Sequence, residues 1–443
     1  MYSEFRDDQY CCDDKILDAG SLFSVELDQY EHKYESKIKI CRGKGCYLYD
    51  DKGNAYLDCA AGTFNLSLGY SHPDVLAAAK SQMDNLVHLS SSFHSDIIER
   101  LNNKLSEIAP AGLQNVHLKS SGGSTCNEGA IKLAQLKTKK SDIITLFRSH
   151  AGQTIHTTQI SGNSFRRADF NFSVSGALHV PAPYCYRCFY KQCPENCNLL
   201  CVERIHDFIN YASSGQVAGM LVEPVLGNGD NVVCSTAYLR AVRKLCDEYK
   251  MSLIFDEVQT GIGRTGEMFA AQTFGVTPDI ITTAKGLGGS GFQIAAILSN
   301  EEHAHLDSHQ HAFTFGGNLM AAAAALKTLE LVSESRFLAN IRATGDYILK
   351  RLRESQSRYK FIGEVRGVGL MIGFEIVDQQ QKPDLDLTNK IKHLAQEYGL
   401  LLRTSRYHLG NVLKIRPPLI LTMDEAVFIC DNLDAVFAKV GNV

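Results

Sequence analysis

The sequence lacks an excess of charge of one sign. Against 49 Asp+Glu stand 45 Lys+Arg in 443 residues, a formal net charge of −4 with histidine neutral, so there is no basic footprint for nucleic acid. It also lacks any run near the roughly 18 consecutive apolar residues that cross a bilayer. The longest candidate, Leu319 to Leu326, is a short alanine-rich block. Neither a nucleic acid nor a membrane is expected as a partner. The first residues, MYSEFRDDQYCCDD, lack the basic start and apolar stretch of a secretory leader and are too acidic for a mitochondrial transit segment, which predicts a cytoplasmic protein. Proline is sparse, 10 residues against 35 glycines, and the 44% hydrophobic, 21% charged composition is that of an ordinary globular protein. Cysteine is too dilute for a disulfide scaffold: 14 of 443 residues is about 3%, against more than about 8% in such proteins. Nine of the 14 are scattered and read as small buried hydrophobes.

Seven short apolar segments read as buried strands: Val116 to Leu118, Ile143 to Phe147, Ala177 to Val180, Ala218 to Val222, Leu253 to Phe255, Ile280 to Thr282 and Ala295 to Leu298. Helical spacing lies between several of them, notably over 125–137 and 236–250. The alternation predicts the α/β class, with a mostly parallel sheet covered on both faces. Upstream, residues 1 to about 35 are polar and irregular, YLYDDKGNAYLDCAAG (47–62) reads as a hairpin around Asp-Lys-Gly-Asn, and 73–107 as helices. Past Leu319 a long Ala/Leu helix leads into a smaller α+β unit punctuated by Gly367, Gly369 and Gly373. Its last helix opens with a capping box, Thr422 and Glu425, and carries Ala426, Ile429, Leu433 and Phe437 on one face.

Two strand ends carry charged residues. MSLIFDEVQTG ends a strand in Asp256, and DIITTAKGLGG puts Lys285 after another. An acid at the carboxyl end of a buried parallel strand lies where open α/β sheets bind ligands, and a lysine in a site of low polarity can act as a nucleophilic amine. In HLKSSGGSTCNEGAIKLAQ, residues Ser121, Gly122, Gly123 and Ser124 separate a strand from a helix, and the amides of such a turn suit a phosphate. An amine, a carboxylate and a phosphate cradle are together what pyridoxal phosphate needs: a Schiff-base partner, a counter-charge for the ring nitrogen and an anchor.

With these motifs, FDEVQTGIGRTG followed by TPDIITTAKGLGG above all, the sequence resembles the class III (omega) aminotransferases of fold type I over nearly its whole length, from YLYDDKGNAYLDCAAG to KIRPPL. VPAPYCYRCFY and SGQVAGMLVEPVLGNGD are nearest in pattern to dialkylglycine decarboxylase. The resemblance implies a large pyridoxal-phosphate-binding domain over 71–325, with a cysteine-rich insertion at 184–201, and a small domain made of 1–70 and 326–443. It implies that Lys285 holds the cofactor as an internal aldimine and moves the substrate proton, that Asp256 pairs with the pyridinium nitrogen, and that Gln259 bonds the ring-hydroxyl side. Gly122, Gly123 and Ser124 would hold the phosphate, His150 would stack on the ring and Glu223 would support it. Thr314, in HAFTFGGN, would reach the phosphate of a neighbouring subunit, so a homodimer with shared active sites is implied. Thr63, Lys414 and Arg416 are the implied substrate contacts.

The sequence departs from the family pattern at several places. Thr125 replaces the acid after the phosphate loop, Ala151 the family histidine, Asn228 the second acid of the Glu-Pro motif and Gln293 a common proline. Lys414 stands where many members carry the arginine that grips an α-carboxylate, and lysine cannot make arginine's planar two-bond clamp. The expected reaction is transfer of an amino group between an amine or amino acid and a keto acid or aldehyde. A decarboxylating transaminase of the dialkylglycine type and an amine phospho-lyase are the alternatives within the cofactor class, and a silent binding homologue the alternative outside it.

Two motifs point elsewhere. Gly261, Gly263 and Gly266 spell G-x-G-x-x-G, but the position about 20 residues on, where a dinucleotide fold puts its acid, falls beside Lys285. The loop reads instead as the turn after Asp256. Cys185, Cys188, Cys193, Cys197 and Cys201 fall within 17 residues. They are open to three readings: a structural metal site, free surface thiols, or thiols near enough to pair.

Overall fold

The computed structural model describes residues 38–441 except 91, 169, 171–175, 304–305 and 405–409. The polar N-terminal stretch and Cys11 and Cys12 lie outside the described residues. At the centre is a seven-stranded sheet of β1 (Asn115–His117), β2 (Asp142–Leu146), β3 (Ala177–Val180), β4 (Val217–Val222), β5 (Ser252–Asp256), β6 (Ile280–Thr283) and β7 (Ala296–Ser299), in the order β1-β7-β6-β5-β4-β2-β3. Each matches one of the seven segments expected from sequence. Only β7 runs against its neighbours, β6 and β1; β6, β5, β4, β2 and β3 pair in parallel. Strands β2, β4 and β5 are buried at every position, because helices cover both faces and leave no reason for polar alternation.

The covering helices form where the sequence supplies apolar spacing and end groups. Thr236–Glu248 starts at Ser235, whose side chain accepts from Tyr238 N at 3.1 Å, and buries Leu239, Val242, Leu245 and Cys246. Leu319–Val332 starts at Asn318, whose side chain accepts from Ala321 N at 3.1 Å. Its alanine run allows close packing against the helix Pro73–Asn85. The capping box on the last helix is formed: Thr422 N donates to Glu425 Oε2 at 2.8 Å and Glu425 N to Thr422 Oγ1 at 3.2 Å.

Two smaller four-stranded sheets flank the central one. Ile362–Val368, Met371–Ile376, Val412–Ile415 and Arg403–Thr404 form an antiparallel sheet. The expected hairpin is Tyr47–Asp50 with Ala55–Asp58, and Leu400–Leu401 pairs in parallel with Ala55–Asp58. Residues near the two ends of the chain therefore share a sheet. Of the scattered cysteines among the described residues, Cys46, Cys59, Cys126, Cys234, Cys246 and Cys430 are buried as expected. Cys41 is not: it lies exposed on the edge strand Ile40–Lys44.

Candidate active site

The carboxyl ends of the parallel strands converge on a cavity of about 280 Å³, near the lower end of small-molecule pockets, roughly 300–1,000 Å³. Asp256 ends β5, Lys285 follows β6, Glu223 follows β4, His150 lies beyond β2, and the helix Gly123–Thr138 starts after β1. Gly122, Gly123, Ser124, His150, Glu223, Asp256, Gln259, Lys285 and Thr63 all line the cavity.

Lys285 sits at φ +42°, a left-handed backbone rare for a residue with a side chain. Burial lowers its ammonium pKa to about 8, against the opposing pull of Asp256 and Glu223, while Arg416 and Arg166 push it further down. About one tenth is then the neutral amine at pH 7, far more than for an ordinary lysine. Asp256 is buried, and burial raises its pKa, opposed by donors that favour the carboxylate: Val258 N to Oδ1 at 3.0 Å and Asn127 Nδ2 to Oδ2 at 2.7 Å. Asn127 is fully engaged. Its Nδ2 also donates to Ala151 O at 2.7 Å and its Oδ1 accepts from Thr282 Oγ1 at 2.7 Å.

Glu223 accepts from His150 N at 2.8 Å and from Gly227 N at 2.9 Å, and burial with the nearby Asp256 charge raises its pKa. Burial, then Arg166 and Lys285, lowers the pKa of His150 to about 3, so its imidazole is neutral at physiological pH. His150 Nδ1 is buried with no protein partner. At the helix start, Thr125 Oγ1 accepts from Ser121 N and Gly122 N at 3.0 and 3.1 Å, which makes this departure from the family acid a cap. Ser124 Oγ accepts from Gln153 N at 2.9 Å. Gln293 Nε2 donates to Ser121 O at 2.6 Å and so ties the loop after Lys285 to the phosphate-type turn, a bond proline could not make.

Lys414 and Arg416 are brought near the site but do not line it. Both are buried. Arg416 donates to Gln259 Oε1 at 2.7 Å, to Gly227 O and to Asn231 Oδ1, and its guanidinium lies 4.1 Å from the Phe64 ring centre. Lys414 Nζ donates to Gly227 O at 3.0 Å. Thr314 is not at this cavity either. It is exposed and lines a separate cavity of about 730 Å³ with His88, Phe93 and Phe313. Asn127 was not singled out from the sequence. An asparagine four residues into a helix carries no signal of its own, and only its position inside the motif SSGGSTCNEG could have marked it.

The sequence profile described as Aminotransferase class-III matches residues 29–437. The chain belongs to this family. An acetylornithine aminotransferase from Caldanaerobacter subterraneus is 36% identical over 91% of this chain and 98% of its own. A leucine/methionine racemase from Thermococcus litoralis is 34% identical over 91% of each chain. An amine transaminase from an uncultivated Pseudomonas species, solved with pyridoxal phosphate bound, superposes with a TM-score of 0.85 at 29% identity, covering 98% of this chain and 100% of that one. This class III aminotransferase is an enzyme of fold type I that uses pyridoxal phosphate to move an amino group between an amine or amino acid and a keto acid or aldehyde. The aminotransferase relatives favour transfer over the decarboxylating and phospho-eliminating alternatives.

Proposed function

We propose that this aminotransferase works through Lys285, Asp256 and the residues around them, as part of a homodimer. The observation that carries the reading is a lysine amine and two carboxylates at the ends of adjacent parallel strands, in one cavity with a helix N-terminus. The donor set fits the cofactor. The Gly122, Gly123 and Ser124 amides would hold its phosphate, Asp256 would face its ring nitrogen, and Gln259 the ring-hydroxyl side. Neutral His150, supported by Glu223, would offer an uncharged flat surface to the ring. When bound, pyridoxal phosphate supplies the electron sink that lets an amino group leave one carbon skeleton for another.

Lys285 would hold the cofactor through its amine and then take and return the substrate proton at Nζ, a task its lowered pKa suits. Asn127, by donating to Asp256, favours its charged form against the burial that opposes it. Thr63 is a substrate contact in this reading. Lys414 and Arg416 act one layer behind, Arg416 by holding Gln259.

A second subunit is supported by the exposed Thr314 loop. Phe315 and Phe93 are 68% and 69% exposed there, large apolar side chains of the kind that a partner covers. The division into a large domain over 71–325 and a small one made of 1–70 and 326–443 is supported by the shared sheet of Ala55–Asp58 and Leu400–Leu401. A cytoplasmic location is supported by the cysteines that stand as free thiols, and among the described residues no helix is long and apolar enough to cross a membrane.

The test is Lys285→Ala beside the wild type, incubated with amino donors and 2-oxo acids. The wild type should bind pyridoxal phosphate with a yellow absorbance band and form one keto product per amino group moved. The variant should lose the band and turnover. Full activity in the variant overturns the assignment of Lys285, and inversion of an amino acid with no keto product would put the enzyme with the racemase relative.

A further inference from the structure

The cysteine-rich segment takes no part in the chemistry above. Of its five thiols, four line one small cavity of about 30 Å³: Cys185, Cys188, Cys197 and Cys201. They share it with Tyr184, Phe189, Tyr190 and Leu200. Cys193 is exposed and lies outside it. The four therefore form C-x2-C and C-x3-C pairs with eight residues between them, a spacing of the kind that delivers four thiolates to one ion.

The backbone favours that convergence. Residues 181–199 hold only one short 3-10 turn, Cys185–Arg187, unusually little regular structure for a segment of this length. Asn198 and Leu199, between the last two thiols, sit at φ +46° and +57°. A leucine there is strained, and the bend turns Cys197 and Cys201 onto the same cavity.

We propose that Cys185, Cys188, Cys197 and Cys201 bind one zinc ion as a structural site. Four thiolates on a short segment suit one tetrahedral zinc, an ion indifferent to ligand-field geometry. Among the described residues no three metal-ligating side chains already stand in coordinating positions, so binding draws the thiols inward and releases their protons to solvent. The ion would lock a segment whose flanks reach the C-terminal sheet. Tyr184 donates to Glu375, Arg187 Nε donates to the same carboxylate at 2.5 Å, and Asn411 Nδ2 does so at 3.0 Å.

The experiment is elemental analysis of the full chain, purified without chelator, with metal release by an organomercurial followed with a chromophoric zinc indicator. Expected are about one zinc per chain, retained in Cys193→Ser and lost in Cys188→Ser/Cys197→Ser. Cobalt substitution should give thiolate-to-cobalt charge-transfer absorption in the wild type. If the double variant does not fold, mercurial release and the cobalt spectrum of the wild type still decide. Less than about one tenth of a metal per chain, or disulfides among the four cysteines in the freshly purified protein, would overturn the proposal.

Discussion

Asn127 shows how much of a site can rest on a residue that does none of its chemistry. It bridges Ala151 O, Thr282 Oγ1 and Asp256 Oδ2 with every polar atom engaged. Asn127→Leu leaves those groups unpaired in a buried place, so stability should fall by about 1–3 kcal/mol, measurable by denaturant unfolding. Asp256 would also lose a bond that favours its charged form. Its pKa, already raised by burial, should rise further, and the acid limb of the pH–activity profile should move to higher pH. An unmoved limb would leave Asn127 a packing role only.

Lys285 gives a second pH signature. With its ammonium pKa lowered to about 8, the amine fraction of the cofactor-free enzyme rises about tenfold per pH unit below that value and levels off above it. The rate of cofactor loading, followed by absorbance, should do the same, and a rate still climbing tenfold per unit between pH 9 and 10 would mean an ordinary lysine. Lys285 and Asp256 were legible in the sequence because strand ends carry their own signature of short apolar runs. The places of Lys414 and Arg416 behind the cavity were not, since their burial depends on packing against Gly227, Asn231 and Phe64, which are far from them in the chain.

At the scale of elements, the site depends on close approaches that glycine permits. A Cβ at Gly227 would overlap the Gln259 side chain, whose Oε1 accepts from Arg416. Gly227→Ala should therefore displace Gln259 while the fold survives, at a cost of roughly 10²-fold in kcat. Steady-state kinetics beside circular dichroism checks this, and unchanged kcat would mean that Gln259 need not stay where it is. The strands and helices were legible for a plain reason. In β2, β4 and β5 burial on both faces leaves continuous apolar runs, and the helices Thr236–Glu248 and Met423–Gly441 repeat apolar residues at their own period. The parallel pairing of Leu400–Leu401 with Ala55–Asp58 was not legible, because a two-residue strand carries no period and its partner lies more than 300 residues away.

For the whole molecule, the exposed Phe315 and Phe93 beside Thr314 belong to the proposed contact with a second copy. Phe315→Asp should give a monomer by analytical ultracentrifugation, and the monomer should hold the cofactor less tightly because Thr314 no longer meets a neighbouring site. A fully active monomer would remove the shared-site reading. Thr314→Ala should keep the dimer and lose only part of the affinity, which separates assembly from phosphate contact.

The sheet shared by the two ends of the chain also sets an order of events during synthesis. Lys285 and Asp256 leave the ribosome well before Leu400–Leu401 can pair with Ala55–Asp58 and before Arg416 can close on Gln259. At about 5–20 residues per second, the central sheet can assemble around a half-built pocket for several seconds. Every residue that lines the cavity, from Thr63 to Ile294, is thus made before the arginine that holds Gln259 from behind.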